Sequence, residues 1–189
     1  MVNYPNGKKS SWTAVKTSAG RRGMGLESEI NKTNAWYLEN DIAVIHKKTT
    51  PVQIVKVDYP ERSAAKITEA YFKIPSTTDY NGIYRGMYID FEAKECNLKT
   101  AFPLKSLHPH QVEHLAAVIR HGGIGFLIVR WTSLGMTYLV PASNAIYFWN
   151  HRDRSSIPYK WFTENGYLIP ASLQKPVDYL ATVDRVFFK

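Results

Sequence analysis

T-T-D-Y-N-G-I-Y-R-G-M-Y-I-D-F-E-A-K, residues 77–94, is the stretch from which the architecture of the chain can be read. It divides into two short strands around a glycine-containing turn, with Asp79 at the head of the first. Residues 88–94 alternate strictly. Successive side chains of a strand point to opposite faces. Ile89, Phe91 and Ala93 therefore share one face, and Asp90, Glu92 and Lys94 share the other. An apolar face is ordinary core, but two acids and a lysine in register behind it are not. Asn81-Gly82 and Arg85-Gly86 are both pairs of turn-forming type. A turn there brings Asp79 back beside Glu92 and Lys94.

Outward from this hairpin, the N-terminal side offers a helix over residues 25–40. Leu26, Ile30, Thr33 and Tyr37 recur on one helical face. Glu27 and Glu29 fall in its first turn, where carboxylates suit the helix dipole. Glu27 has a second reading, at the edge of a catalytic cleft. Val- and Ile-rich strands follow at residues 42–47 and 52–57. Residues 58–73 then interrupt the sheet pattern with Pro60, the basic residues Arg62, Lys66 and Lys73, and the pair Tyr71-Phe72. We read this as an insertion projecting toward nucleic acid. Its cations would hold phosphates and Phe72 would stack on bases, while Tyr71 belongs to the core.

On the C-terminal side, Pro109 and Gly122-Gly123 bracket a helix over residues 108–121. Gln111 stands in its first turn, near the cleft if the helix returns across the sheet. His108, His110 and His114 resemble a metal cluster. However, H-Q-V-E-H is not H-E-x-x-H and no third ligand is evident, so we expect solvated histidines on the helix face. Residues 124–131 form a near-continuous apolar strand, expected to be buried on both faces. A strand over 136–141, a short helix over 142–150 and aromatic-rich pieces over 158–165 and 177–187 complete the chain. This order predicts an α/β fold with a mixed central β-sheet flanked by helices and a protruding stalk insertion.

With 189 residues, one domain with a sizeable core is expected, spanning residues 23–189. Lys and Arg total 24 against 16 Asp and Glu, a formal charge of +8, which favours a polyanionic partner, nucleic acid ahead of an anionic membrane. Residues 1–22 carry Lys8, Lys9, Lys16, Arg21 and Arg22 without one acid. They read as a flexible basic arm, either a solvated tail or a segment that orders on DNA phosphates. The single Cys96 excludes an internal disulfide and cysteine-based zinc fingers, and fits a reducing cytosol. No signal-peptide core is present, and no apolar run approaches the ~18 residues of a membrane span.

Cleaving a phosphodiester requires an activated water, in-line geometry and neutralisation of the charge on phosphorus. Mg2+ on carboxylates meets the first two needs and selects oxygen ligands. Asp79 and Glu92 offer those oxygens, and the Lys94 ammonium can stabilise the transition state. Glu-x-Lys alone is common by chance, and a lysine beside acids can be a mere salt bridge. A DNA-binding protein with purely structural acids is therefore the non-enzymatic alternative.

The stretch resembles the PD-(D/E)xK nuclease core, with Thr78-Asp79 where that pattern often has Pro-Asp. More closely, the chain resembles the RecU family of bacterial Holliday junction resolvases. The resemblance is carried by R-G-M-G-L-E (22–27), I-A-V-I-H-K-K (42–48), T-P-V-Q-I-V-K-V-D-Y-P (50–60), E-A-Y-F-K (69–73), P-S-T-T-D-Y-N-G (75–82), Y-I-D-F-E-A-K-E (88–95) and F-P-L-K-S-L-H-P-H-Q (102–111). It implies a restriction-endonuclease-like fold and a homodimeric, Mg2+-dependent endonuclease, with Mn2+ able to substitute. Such an enzyme resolves four-way DNA junctions by symmetrical paired nicks during recombination and repair. It further implies metal ligands at Thr77, Asp79, Glu92 and Gln111, and a transition-state role for Lys94. Residues 58–73 would be the stalk, with Arg62, Lys66, Phe72 and Lys73 on DNA and Arg22 contributing from the arm. The family motif gives Asp90 no ligand role, which places it behind the ligands, as Glu27 would be. A cytoplasmic, nucleoid-associated protein with a link to the strand-exchange recombinase is implied too. A restriction-like or general DNA nuclease of the same fold is the enzymatic alternative.

Overall fold

The computed structural model of the chain describes residues 25–61, 64–73 and 77–188. The basic arm over residues 1–22, including Arg22, and Arg62 of the insertion lie outside the described residues.

The hairpin that opens the sequence reading forms as β4 (Tyr80–Tyr84) and β5 (Met87–Cys96), paired antiparallel. Arg85 and Gly86, with φ of 50° and 76°, make the two-residue turn between them. Two successive positive φ values match the right-handed twist of the flanking strands. The other expected turn, Asn81-Gly82, lies inside β4 instead. Glycine is needed there for close approach, because a Cβ at Gly82 would come 2.0 Å from the carbonyl oxygen of Val44 on β1 (Val44–Lys47).

Helix α2 (Pro109–Arg120) carries the chain from β5 to β7 (Ile124–Trp131), so these two strands pair parallel. Parallel pairing needs such a crossover. Pro109 opens α2, and the Gln111 side chain returns to cap it, accepting the His108 N–H at 3.0 Å. With β8 (Met136–Pro141), α3 (Ala142–Asn150) and β10 (Tyr167–Leu168), the central sheet runs β1-β4-β5-β7-β8-β10, and β6 (Ala101–Pro103) pairs with β9 (Ser156–Pro158) apart from it. The central sheet is mixed, parallel only between β5 and β7. Helices α1 (Leu26–Glu39) and α5 (Tyr179–Phe187) cover one face, and α2, α3 and α4 (Tyr159–Asn165) cover the other.

Every residue of β7 is buried, as its unbroken apolar run predicts. On the α1 face, Tyr80, Phe91 and Phe126 occupy one register row across three strands. Their rings stack with centroids 4.8 Å apart at both steps. Helix α1 is fixed to this face by a buried ion pair, Arg130 Nη2 to Glu29 Oε2 at 2.6 Å. Gly25 has no side chain to cap α1, and Glu95 Oε1 of β5 accepts the Leu26 N–H at 2.8 Å in its place.

The stretch 52–57 does not join the central sheet. β2 (Val52–Asp58) pairs antiparallel with β3 (Lys66–Phe72) in a separate two-stranded sheet, and every residue of both strands is exposed. The insertion expected over residues 58–73 is thus only the tip and returning strand of a longer hairpin, closed at its root by Lys73 N–H on the Pro51 carbonyl. Tyr71, expected in the core, is exposed on this hairpin with its hydroxyl on Glu69. A β-rich run carries no mark of which sheet it joins, and here pairing with the other hairpin strand won. Phe72 is 82% exposed and sits opposite Val52, at the root of the hairpin rather than its tip.

The aromatic row is expected to dominate the core energetics. Phe91→Ala should cost about 3–5 kcal/mol in denaturant unfolding. A loss below about 1 kcal/mol would mean that the row is not the packing centre of this face.

Candidate active site

Asp79 directly precedes β4, and Tyr80 pairs with Phe91, so Asp79 stands opposite Glu92 across the hairpin. The Asp79 N–H donates to Glu92 Oε2 at 3.1 Å, and Asp79 Oδ2 accepts the Ala93 N–H at 3.4 Å. The two carboxylates are thereby held on adjacent strands by each other's strand. Lys94 Nζ lies 2.6 Å from Glu92 Oε1. Asp79, Glu92 and Lys94 therefore converge, as the alternating pattern predicts.

Glu92 is fully buried. Burial pushes its carboxyl up to about 7; the nearby Lys94 ammonium opposes that shift, and Asp79 adds to it. Its Oε1 faces the Lys94 ammonium, and its Oε2 accepts the Asp79 N–H. A buried carboxylate facing a second carboxylate is chemically suited to a hard divalent cation. Among the described residues no group of three or more His, Cys, Asp or Glu is arranged to hold a metal. A cation at Asp79 and Glu92 would take its other ligands from water and neutral oxygens, as Mg2+ commonly does.

Thr77 and Gln111 are the neutral oxygens named for that purpose. Thr77 is half-buried two residues before Asp79, with its hydroxyl directed to the Thr78 carbonyl at 3.5 Å. Gln111 is buried, and its Oε1 accepts the His108 N–H in the cap of α2.

A cleft of about 260 Å³ opens beside these groups, lined by Gly25, Glu27, Asp79, Ala93, Lys94 and Glu95 among others. Glu27 lies on its rim and pairs with Lys47 at 2.5 Å. Lys66, Phe72 and Lys73 are all exposed on or beside the hairpin.

Asp90 shares the face of Glu92 yet has a different environment. Its Oδ2 accepts from Lys48 Nζ at 2.7 Å and from the Tyr88 hydroxyl at 2.8 Å, and its Oδ1 accepts from the Thr78 hydroxyl. His114 Nε2 lies 3.0 Å from Oδ2. The helix histidines are thus not the solvated set expected. His114 pairs with Asp90, and His108 and His110 stack at 5.5 Å. Burial holds His110 below the usual histidine pKa, reinforced by His108 and Lys94, and its Nε2 is buried without a partner. Lys48, Thr78 and His114 had no local signal as site residues, because their common partner Asp90 is 42, 12 and 24 residues away.

Comparison with known proteins bears on what this site does. The family model described as RecU, Recombination protein U, matches residues 21–185. A protein named Holliday junction resolvase RecU from Leuconostoc mesenteroides is 51% identical over 197 residues, covering 98% of this chain and 97% of that one. Another of the same name from Oceanobacillus iheyensis is 53% identical over 196 residues, covering 99% and 100%. Among solved structures, Hjc of Archaeoglobus fulgidus, a Holliday junction resolvase, aligns with a TM-score of 0.43 at 10% identity, covering 74% of this chain and 94% of that one.

The raised Glu92 pKa sets a stability prediction for the metal-free chain. A carboxyl whose folded pKa lies above its unfolded value destabilises the fold once pH exceeds the unfolded value. That penalty should grow from about pH 4.5 to about 7 and then stay constant. Glu92→Gln should therefore be more stable than wild type by on the order of 3 kcal/mol near pH 8 in EDTA, with the gap closing below about pH 4.5. A variant less stable than wild type under those conditions would show that Lys94 already offsets the burial of Glu92.

Proposed function

The chain belongs to the RecU family of recombination proteins, and on that premise we propose that it is a Holliday junction resolvase, an endonuclease that cuts four-way DNA junctions. The observation that carries this reading is the convergence of Asp79, Glu92 and Lys94 beside an open cleft. We assign Asp79 and Glu92 as the carboxylates that hold Mg2+, with Mn2+ able to replace it. Thr77 and Gln111 supply neutral oxygens; the Gln111 carbonyl has two lone pairs and the helix cap uses one. When bound, the cation supplies Lewis-acid activation of water and neutralises phosphate charge.

The remaining work falls to the chain. Asp79 and Glu92 are pre-aligned by backbone hydrogen bonds, so no carboxylate needs reordering at the moment of reaction. The Lys94 ammonium, one-fifth exposed beside Glu92, stabilises the charge that builds on the scissile phosphate. Glu27 keeps Lys47 at the rim of the cleft. Lys66 and Lys73 contact phosphates, and Phe72, at the hairpin root, stacks on bases where the duplex is opened. Arg22 and Arg62 add phosphate contacts from segments outside the described residues. Residues 23–189 act as one nuclease unit.

Symmetrical nicks require two active sites in matching orientation, which a two-fold homodimer supplies. The product is two nicked duplexes, which places the enzyme in recombination and DNA repair, working on chromosomal DNA in the cytoplasm with the strand-exchange recombinase as functional partner. Among the described residues no helix is long and apolar enough to cross a membrane.

A synthetic mobile four-way junction tests the reading. Wild type should place paired symmetrical nicks in Mg2+, none in EDTA, and should leave matched linear duplex intact. Asp79→Asn and Lys94→Ala should each cut at least about 100-fold more slowly while binding the junction with little change. Undiminished cutting by either variant removes the proposed mechanism, and equal cutting of linear duplex indicates a general nuclease.

A further inference from the structure

We propose that Asp90, with Lys48 and His114, is a positioning site that holds Asp79 in register for its cation and ties that register to both roots of the hairpin. The proposal rests on the reading that Asp79 and Glu92 bind the cation.

Asp90 is fully buried. Four donors reach it: Lys48 Nζ, the Tyr88 hydroxyl and His114 Nε2 at Oδ2, and the Thr78 hydroxyl at Oδ1. Because a carboxylate only accepts, the His114 proton facing it is on Nε2. Both oxygens of Asp90 are thus engaged by donors of the chain itself, and we read it as acting through these neighbours. Glu92, by contrast, meets one backbone N–H and one ammonium.

The donors come from separate parts of the chain. Lys48 follows β1 and leads into the hairpin, whereas Thr78 follows the hairpin and leads into β4. Tyr88 is on β5 itself, and His114 is on α2, one helical turn beyond Gln111. Lys48 binds the returning segment twice more, with Nζ on the Thr78 hydroxyl at 3.0 Å and its backbone N–H on the Asp79 carbonyl at 2.7 Å. Asp79 is therefore held at its carbonyl by Lys48, at its N–H by Glu92, and through the preceding Thr78 side chain by Asp90. The segments flanking the hairpin, at Lys48 and Thr78, thus meet at one carboxylate.

Stability alone does not call for such an arrangement. Desolvating a buried ion pair offsets most of its attraction, and apolar residues of similar volume usually stabilise as well or better. What the charged cluster provides is a single geometry for Asp79. Groups that orient metal ligands typically contribute 10–100-fold to affinity or activity.

The test uses the full chain with Asp90→Asn, His114→Ala and His114→Gln. Mn2+ binding to DNA-free protein is measured by calorimetry, the Mg2+ half-saturation of junction cleavage is measured in parallel, and thermal unfolding is followed in EDTA. Asp90→Asn should weaken Mn2+ binding about 10–100-fold and raise the Mg2+ half-saturation by a similar factor. His114→Ala should do the same more mildly, and His114→Gln, which retains a donor for Asp90, should recover most of the loss. Should Asp90→Asn fail to fold, the His114 pair decides. Lower melting temperatures with unchanged Mn2+ affinity and unchanged Mg2+ half-saturation would overturn the proposal and leave Asp90 a structural ion pair. If wild type itself neither binds Mn2+ nor cuts, the underlying reading of Asp79 and Glu92 fails and this proposal fails with it.

Discussion

The register of β4 on β5 is the constraint on which the site depends. The turn at Arg85 and Gly86 sets it, and the Tyr80–Phe91–Phe126 row locks it from the core side. Side chains alternate with a period of two, so a slip by one residue would move Asp79 to the opposite face from Glu92. It would also push Tyr80 out of a fully buried position. Core packing and site geometry are thus specified together, and the sheet cannot lose one while keeping the other.

Two carboxylates on one strand face show how burial separates roles. Asp90 and Glu92 are both fully buried and two residues apart. Asp90 is surrounded by donors drawn from four segments, whereas Glu92 has one backbone donor, one ammonium near Oε1 and a raised pKa caused first by burial. The first arrangement is complete without any ligand. The second leaves a buried carboxylate whose charge is costly as it stands, which is what suits it to the proposed cation. Two carboxylates on the same face thus differ in what surrounds them rather than in their spacing.

Much of this was legible along the chain. Strict alternation over residues 88–94 located β5 and its polar face, and Pro109 with Gly122 bounded α2 closely. What was not legible depended on partners distant in sequence. Residues 52–57 have the β-branched content of a core strand, yet they pair with β3 in the exposed hairpin, since composition does not say which sheet a strand joins. Tyr71 looked like core for the same reason. The Lys48–Asp90 and His114–Asp90 contacts span 42 and 24 residues and leave no periodic trace. His114 on an otherwise polar helix face could not be told from a solvated histidine until the fold placed Asp90 beneath it.

The central claim is that Asp79 and Glu92 together hold a divalent cation beside Lys94. Anomalous scattering from crystals soaked in Mn2+ tests it most directly. The account predicts a peak within coordination distance of both carboxylates, about 2 Å from their oxygens, with Asp90 uncoordinated. A peak at Asp90 and His114, or none near Glu92 at saturating Mn2+, would contradict it.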